Sequence, residues 1–136
     1  GVAGIVPCEV VIIGSGIAAC AAARSAVGLG ATVRIFDNDV YSLRRASQEL
    51  GPWAITSSLH PHTFDNALRA ADVVVATPTS APFTLHSDTA AVMKRGVLTF
   101  DITAEADGSA FPSMTPVDLA FASAVDVTLR SENRIC

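Results

Sequence analysis

A glycine-containing turn follows an apolar run near the start of the sequence. The turn is GSGIAA at residues 14–19, and the run before it is VVII at residues 10–13. Gly14 can adopt a positive φ at a tight turn out of a strand, and Gly16 lets a ligand approach the backbone closely. Ala19 stands at the third glycine position, where alanine also permits close helix–strand packing. The pattern predicts a strand, a phosphate-binding turn and a helix whose N-terminus attracts an anion.

A carboxylate, Asp37, ends the next apolar run, 23 positions after Gly14. In dinucleotide-binding βαβ units an acid at this distance accepts hydrogen bonds from the adenosine ribose hydroxyls. Its charge favours NAD and repels the 2′-phosphate of NADP, so the combined pattern predicts an NAD site. Two alternatives stay open: the turn belongs to an α/β protein that binds no cofactor, or Asp37 caps the helix beginning near Asp39.

The elements that would position these residues alternate along the chain, which is typical of a doubly wound α/β sheet. Strands are predicted at about 10–13, 32–36, 53–56, 73–76 and 97–100, with a further strand at 125–129. Helices are predicted at about 16–29, 39–50, 62–71 and 87–95. We therefore expect one Rossmann-type domain over residues 1–136, with a mostly parallel sheet and helices on both faces.

Composition narrows the class of protein. The chain has 136 residues, of which 50% are hydrophobic and 16% are charged, so it is globular and can bury one core. The net charge of −4 argues against a nucleic-acid partner, which requires a basic face. Every apolar run is too short to span a membrane, and a signal-peptide pattern is not visible. We expect a cytoplasmic protein without nucleic-acid or membrane partners.

Cysteine and histidine spacing does not indicate a metal site. Cys8, Cys20 and Cys136 are widely spaced and form no CxxC pair, so we expect reduced thiols. His60 and His62 flank a proline, but no nearby cysteine or acidic cluster completes a ligand set. The predicted metal content is therefore none.

Longer segments carry a family resemblance that covers about residues 1–108. The segments are GVAGIVP at 1–7, GLGATVRIFD at 28–37, AADVVV at 70–75 and MKRGVLTFDI at 93–102. They resemble the NAD-binding domain of the alanine dehydrogenase family. They are less similar to the related NAD-binding part of proton-translocating nicotinamide nucleotide transhydrogenase.

This resemblance implies oxidation of L-alanine to pyruvate and ammonia, with hydride transfer to NAD. In the family a separate domain holds the amino-acid or 2-oxo-acid substrate with a lysine and a histidine, and the sequence shows no counterpart of either. Residues 1–136 are therefore expected to be a fragment of a larger two-domain enzyme and inactive alone. Family members assemble as homo-oligomers, so the whole protein is expected to do the same.

The resemblance also assigns roles to residues. The implied cofactor-binding residues are Gly14, Ser15, Gly16, Ile17, Ala19, Asp37, Asn38, Thr77, Pro78, Thr79, Ile102 and Thr103. Of these, the segment 14–19 would line the pyrophosphate, 77–79 would follow the cofactor towards the nicotinamide, and 102–105 would lie beside that ring. Glu105 occupies the place of the family's catalytic aspartate.

The sequence departs from the family in places that bear on catalysis. Glu105 carries its charge one methylene further than an aspartate would, and a misplacement of about 1 Å can cost about 100-fold in rate. The loop at residues 77–85 is shorter than the family's, and Phe83 stands where a basic residue is usual. The segment 107–112 reads DGSAFP in place of a GGCFE-like stretch. Two other functions therefore stay open: the NAD-binding subunit of a transhydrogenase, and a non-catalytic NAD-binding or sensing module.

Overall fold

Five short strands form the centre of the protein, and the helices connect them. The structure, a computed structural model, describes residues 7–80, 83, 85 and 87–102. Its strands are β1 (Glu9–Ile13), β2 (Thr32–Phe36), β3 (Ala54–Ser57), β4 (Val73–Ala76) and β5 (Leu98–Asp101). Its helices are α1 (Ile17–Gly28), α2 (Val40–Leu50), α3 (Pro61–Ala70) and α4 (Ser87–Ala90), with a 3₁₀ turn at Gly51–Trp53.

The sheet is parallel throughout, in the order β3-β2-β1-β4-β5. The chain builds outwards from β1 through β2 to β3, and then crosses back to place β4 on the other side of β1. In register, Ile13 at the end of β1 lies opposite Phe36 on one side and Ala76 on the other. This confirms the predicted doubly wound, Rossmann-type fold. The further strand predicted at 125–129 lies outside the described residues.

Alternate residues of the strands enter two separate cores, one on each face of the sheet. Val10 and Ile12 of β1 pack with α1 and α2, whereas Val11 and Ile13 pack with α3. Alanines dominate the buried face of α1, and such small side chains let the helix axis lie close to the sheet. Both faces are therefore covered, which explains why the strands read as continuous apolar runs.

Asp72 links the N-terminal ends of three neighbouring strands by hydrogen bonds. One carboxylate oxygen accepts from the Glu9 backbone N–H at 2.9 Å, and the other accepts from Lys94 Nζ at 3.0 Å. Its own backbone groups bond to Glu9 at 2.8 Å and to Leu98 at 3.0 Å. The Glu9 hydrogen bond, followed by Lys94, lowers the pKa of the Asp72 carboxyl. Asp72 therefore aligns β1, β4 and β5 at their N-terminal ends, and the glycine turn lies at the opposite end of β1.

The predicted end of α4 was wrong, and several other predicted boundaries shift by one residue. The helix predicted at 87–95 ends at Ala90, because the chain tightens into i→i−3 bonds from Val92 to Thr89 and from Met93 to Ala90, both at 3.2 Å. The strand predicted at 53–56 begins and ends one residue later, since Trp53 belongs to the 3₁₀ turn. Within the part of the chain that the structure describes, no helix has the length and apolarity to cross a membrane.

Candidate cofactor-binding site

The loops that follow β1 and β4 meet at the C-terminal ends of these two adjacent strands. The strands after β1 extend the sheet first to one side, through β2 and β3, and then to the other side, through β4 and β5. In open α/β sheets ligands bind in the crevice at the carboxyl ends of the strands that flank this change of side. Gly14 directly follows β1, and Thr77 directly follows β4. The sheet topology thus brings together two loops that are separated by about half the chain.

Gly14 makes the tight turn that the sequence predicted. Its φ is +103°, and its backbone N–H donates to the carbonyl of Phe36 at 2.8 Å. A Cβ at this position would collide with Thr77 Oγ1 and would lie 3.1 Å from the Pro78 carbonyl oxygen. Glycine is therefore required at this position for two reasons: the positive φ, and the lack of space for a Cβ beside the neighbouring loop.

Gly16 caps the N-terminus of α1 and leaves open space above it. Its φ of −82° and ψ of −160° are extended, and no side chain of the described residues caps the first turn by a hydrogen bond. A Cβ built on Gly16 would have nothing within 4 Å. The backbone N–H groups of this turn and the helix dipole therefore offer an open site for an anion such as a pyrophosphate.

Asp37 is buried at the end of β2, with only 5% of its surface exposed. Its Oδ2 accepts from the Ser15 hydroxyl at 2.7 Å, and its Oδ1 accepts from the Asp39 backbone N–H at 3.0 Å. The side chain of Asp39, not that of Asp37, caps α2 by accepting from the N–H groups of Tyr41 and Ser42. Asp37 is consequently left as an oriented acceptor, because a carboxylate has about four acceptor positions and the described residues occupy two of them.

Beside Asp37 lies a pocket of about 300 Å³. Its lining combines two carboxylates and an amide with apolar and hydroxyl side chains: Asp37, Asn38, Asp39, Leu59, Thr79, Ser80 and Phe83. A volume of this size is at the lower end of the range for small-molecule sites and suits one nucleoside. The pocket adjoins the glycine turn, so a bound dinucleotide could use both.

Phe83 is held against the pocket by a chain of aromatic contacts. Phe64 on α3 packs edge-to-face on Phe36, with ring centroids 5.2 Å apart, and on Phe83 at 5.8 Å. Leu59 is held on the same side of the site, because its backbone N–H donates to Asn38 Oδ1 at 3.2 Å. Sequence reasoning did not assign Asp39, Leu59, Ser80 or Phe83 to the site. The available signal was their position after β2, β3 and β4, where carboxyl-end loops converge.

The structure brings most of the predicted cofactor residues to this crevice, but two of their side chains turn inwards. Ser15 is 1% exposed and donates to Asp37, and Thr77 is 1% exposed and donates through Oγ1 to the Ile13 carbonyl at 2.8 Å. Only their backbone groups remain for a ligand. Pro78 and Ile17 are exposed, and the Ile102 N–H donates to the Ala76 carbonyl at 2.9 Å.

Thr103 and Glu105 lie outside the described residues. In the ranges that are described, no group of histidine, cysteine and acidic side chains is arranged to hold a metal ion. Burial, followed by the nearby charge of Glu49, raises the pKa of the Cys20 thiol. Cys20 therefore stays protonated at neutral pH and packs in the core beneath the turn.

Known proteins match this chain in sequence and in fold. The sequence model of the family described as "Alanine dehydrogenase/PNT, C-terminal domain" matches residues 1–128. The alanine dehydrogenase of Mycolicibacterium smegmatis is 37% identical over 112 residues, which are 79% of this chain and 30% of that protein. The chain thus spans under a third of the length of this relative.

Two solved structures extend the comparison. An L-alanine dehydrogenase superposes with a TM-score of 0.66 and 30% identity, covering 75% of this chain and 29% of that one. A transhydrogenase from Sinorhizobium meliloti superposes with a TM-score of 0.62 over 97% of this chain and 47% of its own. At 18% identity the second match shows a shared fold alone.

Proposed function

The chain belongs to the alanine dehydrogenase/PNT C-terminal domain family, and we propose that it is the NAD-binding domain of an alanine dehydrogenase. The whole enzyme would oxidise L-alanine to pyruvate and ammonia. Because the chain spans only 30% of the M. smegmatis relative, the proposal places the amino-acid-binding residues in a second domain. Residues 1–136 alone would bind NAD and catalyse nothing.

One observation carries the proposal: an anion site and a nucleoside pocket adjoin each other at the switch point of the sheet. The first turn of α1, with open space above Gly16, would hold the pyrophosphate. Asp37 would accept hydrogen bonds from the adenosine ribose, and Leu59 with Phe83 would contact the adenine. A hydrogen bond holds the two sites at a fixed spacing, because Ser15 lies between Gly14 and Gly16 and its hydroxyl donates to the Asp37 carboxylate.

The charges of the pocket support a preference for NAD over NADP. Asp37 and Asp39 both line it, so a 2′-phosphate on the ribose would meet two carboxylates. Like charges placed together in such a site cost several kcal/mol. No basic side chain lines this pocket in the described part of the chain.

At the other end of the crevice, the proposal assigns the nicotinamide to the region after β5. NAD supplies a hydride acceptor when it is bound. Ile102, which is 42% exposed, and Ile17, which is 91% exposed, would provide apolar contacts that exclude water from the reacting ring. Thr103 would line the same space, and Glu105 would take the part of the family's catalytic aspartate.

We also propose a substrate class, an oligomeric state and a cellular compartment for the whole enzyme. Its substrate partner is a small amino acid and the matching 2-oxo acid, and the whole protein is proposed to form a homo-oligomer. We place it in the cytoplasm, because its widely spaced cysteines lack a pairing pattern and suit a reducing compartment.

A second candidate is the NAD-binding subunit of a transhydrogenase. The description of the matching family names both alanine dehydrogenase and PNT, the nicotinamide nucleotide transhydrogenase. A purified natural full-length protein distinguishes the two reactions. A dehydrogenase reduces NAD when L-alanine is added and needs no second nucleotide, which we expect. Hydride exchange between NADH and an NADP analogue without any alanine-dependent reduction would overturn the dehydrogenase proposal.

A further inference from the structure

Ser15 occupies the middle of the glycine turn, yet its side chain faces the protein. Its neighbours Gly16 and Ile17 are partly or fully exposed, whereas Ser15 is 1% exposed. Its hydroxyl donates to Asp37 Oδ2 at 2.7 Å, and its carbonyl accepts from Cys20 Sγ at 3.9 Å. The turn is therefore attached to the end of β2 by a buried hydrogen bond between residues 22 positions apart.

That bond completes a two-point fixation of the Asp37 carboxylate. The Ser15 hydroxyl holds Oδ2, and the Asp39 backbone N–H holds Oδ1 at 3.0 Å. The terminal torsion of an aspartate is intrinsically broad, so one tether alone would leave the carboxylate free to turn. With one donor on each oxygen the plane of the carboxylate is fixed before any ligand arrives.

We propose that Ser15 is a positioning residue for cofactor choice, acting through the carboxylate of Asp37. This inference rests on the proposed function, because it assumes that Asp37 accepts from the ribose hydroxyls of NAD. A carboxylate fixed in advance loses no torsional freedom when NAD binds, which strengthens the complex. The same fixation keeps its charge where a 2′-phosphate would have to lie. Ser15 therefore contributes to both affinity for NAD and rejection of NADP.

A purely structural role makes a different prediction. If the hydroxyl only fastened the turn to the sheet, its removal would weaken the binding of both nucleotides equally. If it acts through Asp37, removal weakens NADH binding and leaves NADPH binding unchanged or improved. The ratio of the two dissociation constants separates the two roles, and protein stability does not determine that ratio.

The test is a double-mutant cycle with Ser15→Ala and Asp37→Ala, with NADH and NADPH titrated against each variant. Ser15→Ala should raise the Kd for NADH about tenfold and reduce the preference for NADH over NADPH by a similar factor. In the Asp37→Ala background the same change should have no further effect on NADH. Thr99→Val is the matched control, because it removes a buried hydroxyl on β5 outside the pocket and should leave both constants unchanged.

Each outcome has a distinct meaning. An unchanged NADH constant in Ser15→Ala, or equal weakening of both nucleotides, overturns the positioning role. A full effect of Ser15→Ala in the Asp37→Ala background overturns it as well. If Ser15→Ala fails to fold, Ser15→Cys keeps a weaker donor of similar shape. The ratio of its Kd for NADPH to its Kd for NADH should then lie between the wild-type ratio and a ratio of one. A wild-type protein that binds no NADH overturns the proposed function itself.

Discussion

Gly14 and Thr77 lie against each other where the two halves of the sheet diverge, and Thr77 leaves no room for a Cβ on Gly14. The Cα of Gly14 faces Thr77 Oγ1, and that hydroxyl and the Thr77 N–H both donate to the Ile13 carbonyl at 2.8 Å. The loop after β4 is thereby fixed on the turn after β1. The crevice between them is therefore shaped before a ligand binds.

Gly14→Ala should destabilise the protein strongly. The new Cβ would collide with Thr77 Oγ1, and alanine is strained at a φ of +103°. We expect the free energy of unfolding to fall by about 3 kcal/mol, from backbone strain and overpacking together. Urea denaturation followed by circular dichroism measures this change. A loss below about 0.5 kcal/mol would contradict the account of the turn.

Gly16→Ala should lower the affinity for NADH and leave stability almost unchanged, and it serves as the comparison for Gly14→Ala. Its φ of −82° suits alanine and a Cβ there meets nothing within 4 Å, so stability should change by less than about 0.5 kcal/mol. The added methyl would enter the space assigned to the pyrophosphate, and the Kd for NADH should rise at least about tenfold. Unchanged NADH affinity in a folded Gly16→Ala protein would mean that the pyrophosphate does not lie there.

Phe83→Ala should weaken the adenosine half of the cofactor. The ring lines the pocket and packs on Phe64 at 5.8 Å, so its removal opens one wall. We expect a rise of about tenfold in the Kd for ADP-ribose, since a lost aromatic contact of this kind is worth about 1 kcal/mol beyond area burial. Nicotinamide mononucleotide, which lacks the adenosine, is the control ligand. An equal effect on both ligands would place the adenine elsewhere.

Asp72 should make stability depend on acid pH. Its pKa is lowered in the folded protein, so the carboxylate stabilises the fold above its ordinary pKa, and this contribution is lost as the pH falls through the lowered value. The side chain is 41% exposed, so screening limits the effect. Asp72→Asn should cost about 0.5 kcal/mol at pH 7, and this cost should shrink as the pH falls below the ordinary pKa of an aspartate. A difference that persists at low pH would contradict this assignment.

Much of this architecture could be predicted from the sequence because it depends on local patterns. β2 and β4 lie where their β-branched runs indicated, and the buried stripe of α3 follows helical spacing. The positions of Gly14 and Asp37 could be predicted from the glycine motif, the apolar runs and their spacing, because the βαβ unit fixes the distance between a glycine turn and the end of the next strand.

Other features depend on contacts between distant segments. The inward direction of Ser15 depends on where Asp37 places its carboxylate, and no pattern around residue 15 indicates it. Likewise the Thr77 hydroxyl donates a hydrogen bond to the backbone carbonyl of Ile13, 64 positions away. Leu59 and Phe83 become neighbours only when the loops after β3 and β4 converge. The early end of α4 follows from a turn to β5 that helical periodicity does not encode.

We propose that Asp37 selects NAD in the pocket at the end of β2, and a titration with both nucleotides measures this selection. NADH and NADPH are titrated by calorimetry against wild type, Asp37→Ala and the control Asp65→Ala, a carboxylate on α3 outside the pocket lining. We expect a preference for NADH of about 100-fold in wild type and in the control. In Asp37→Ala the preference should fall at least about tenfold, because NADH loses the acceptor for its ribose hydroxyls and NADPH loses one of the two carboxylates that repel its 2′-phosphate. Equal wild-type affinities for the two nucleotides, or an Asp37→Ala protein that keeps its preference, would contradict the claim.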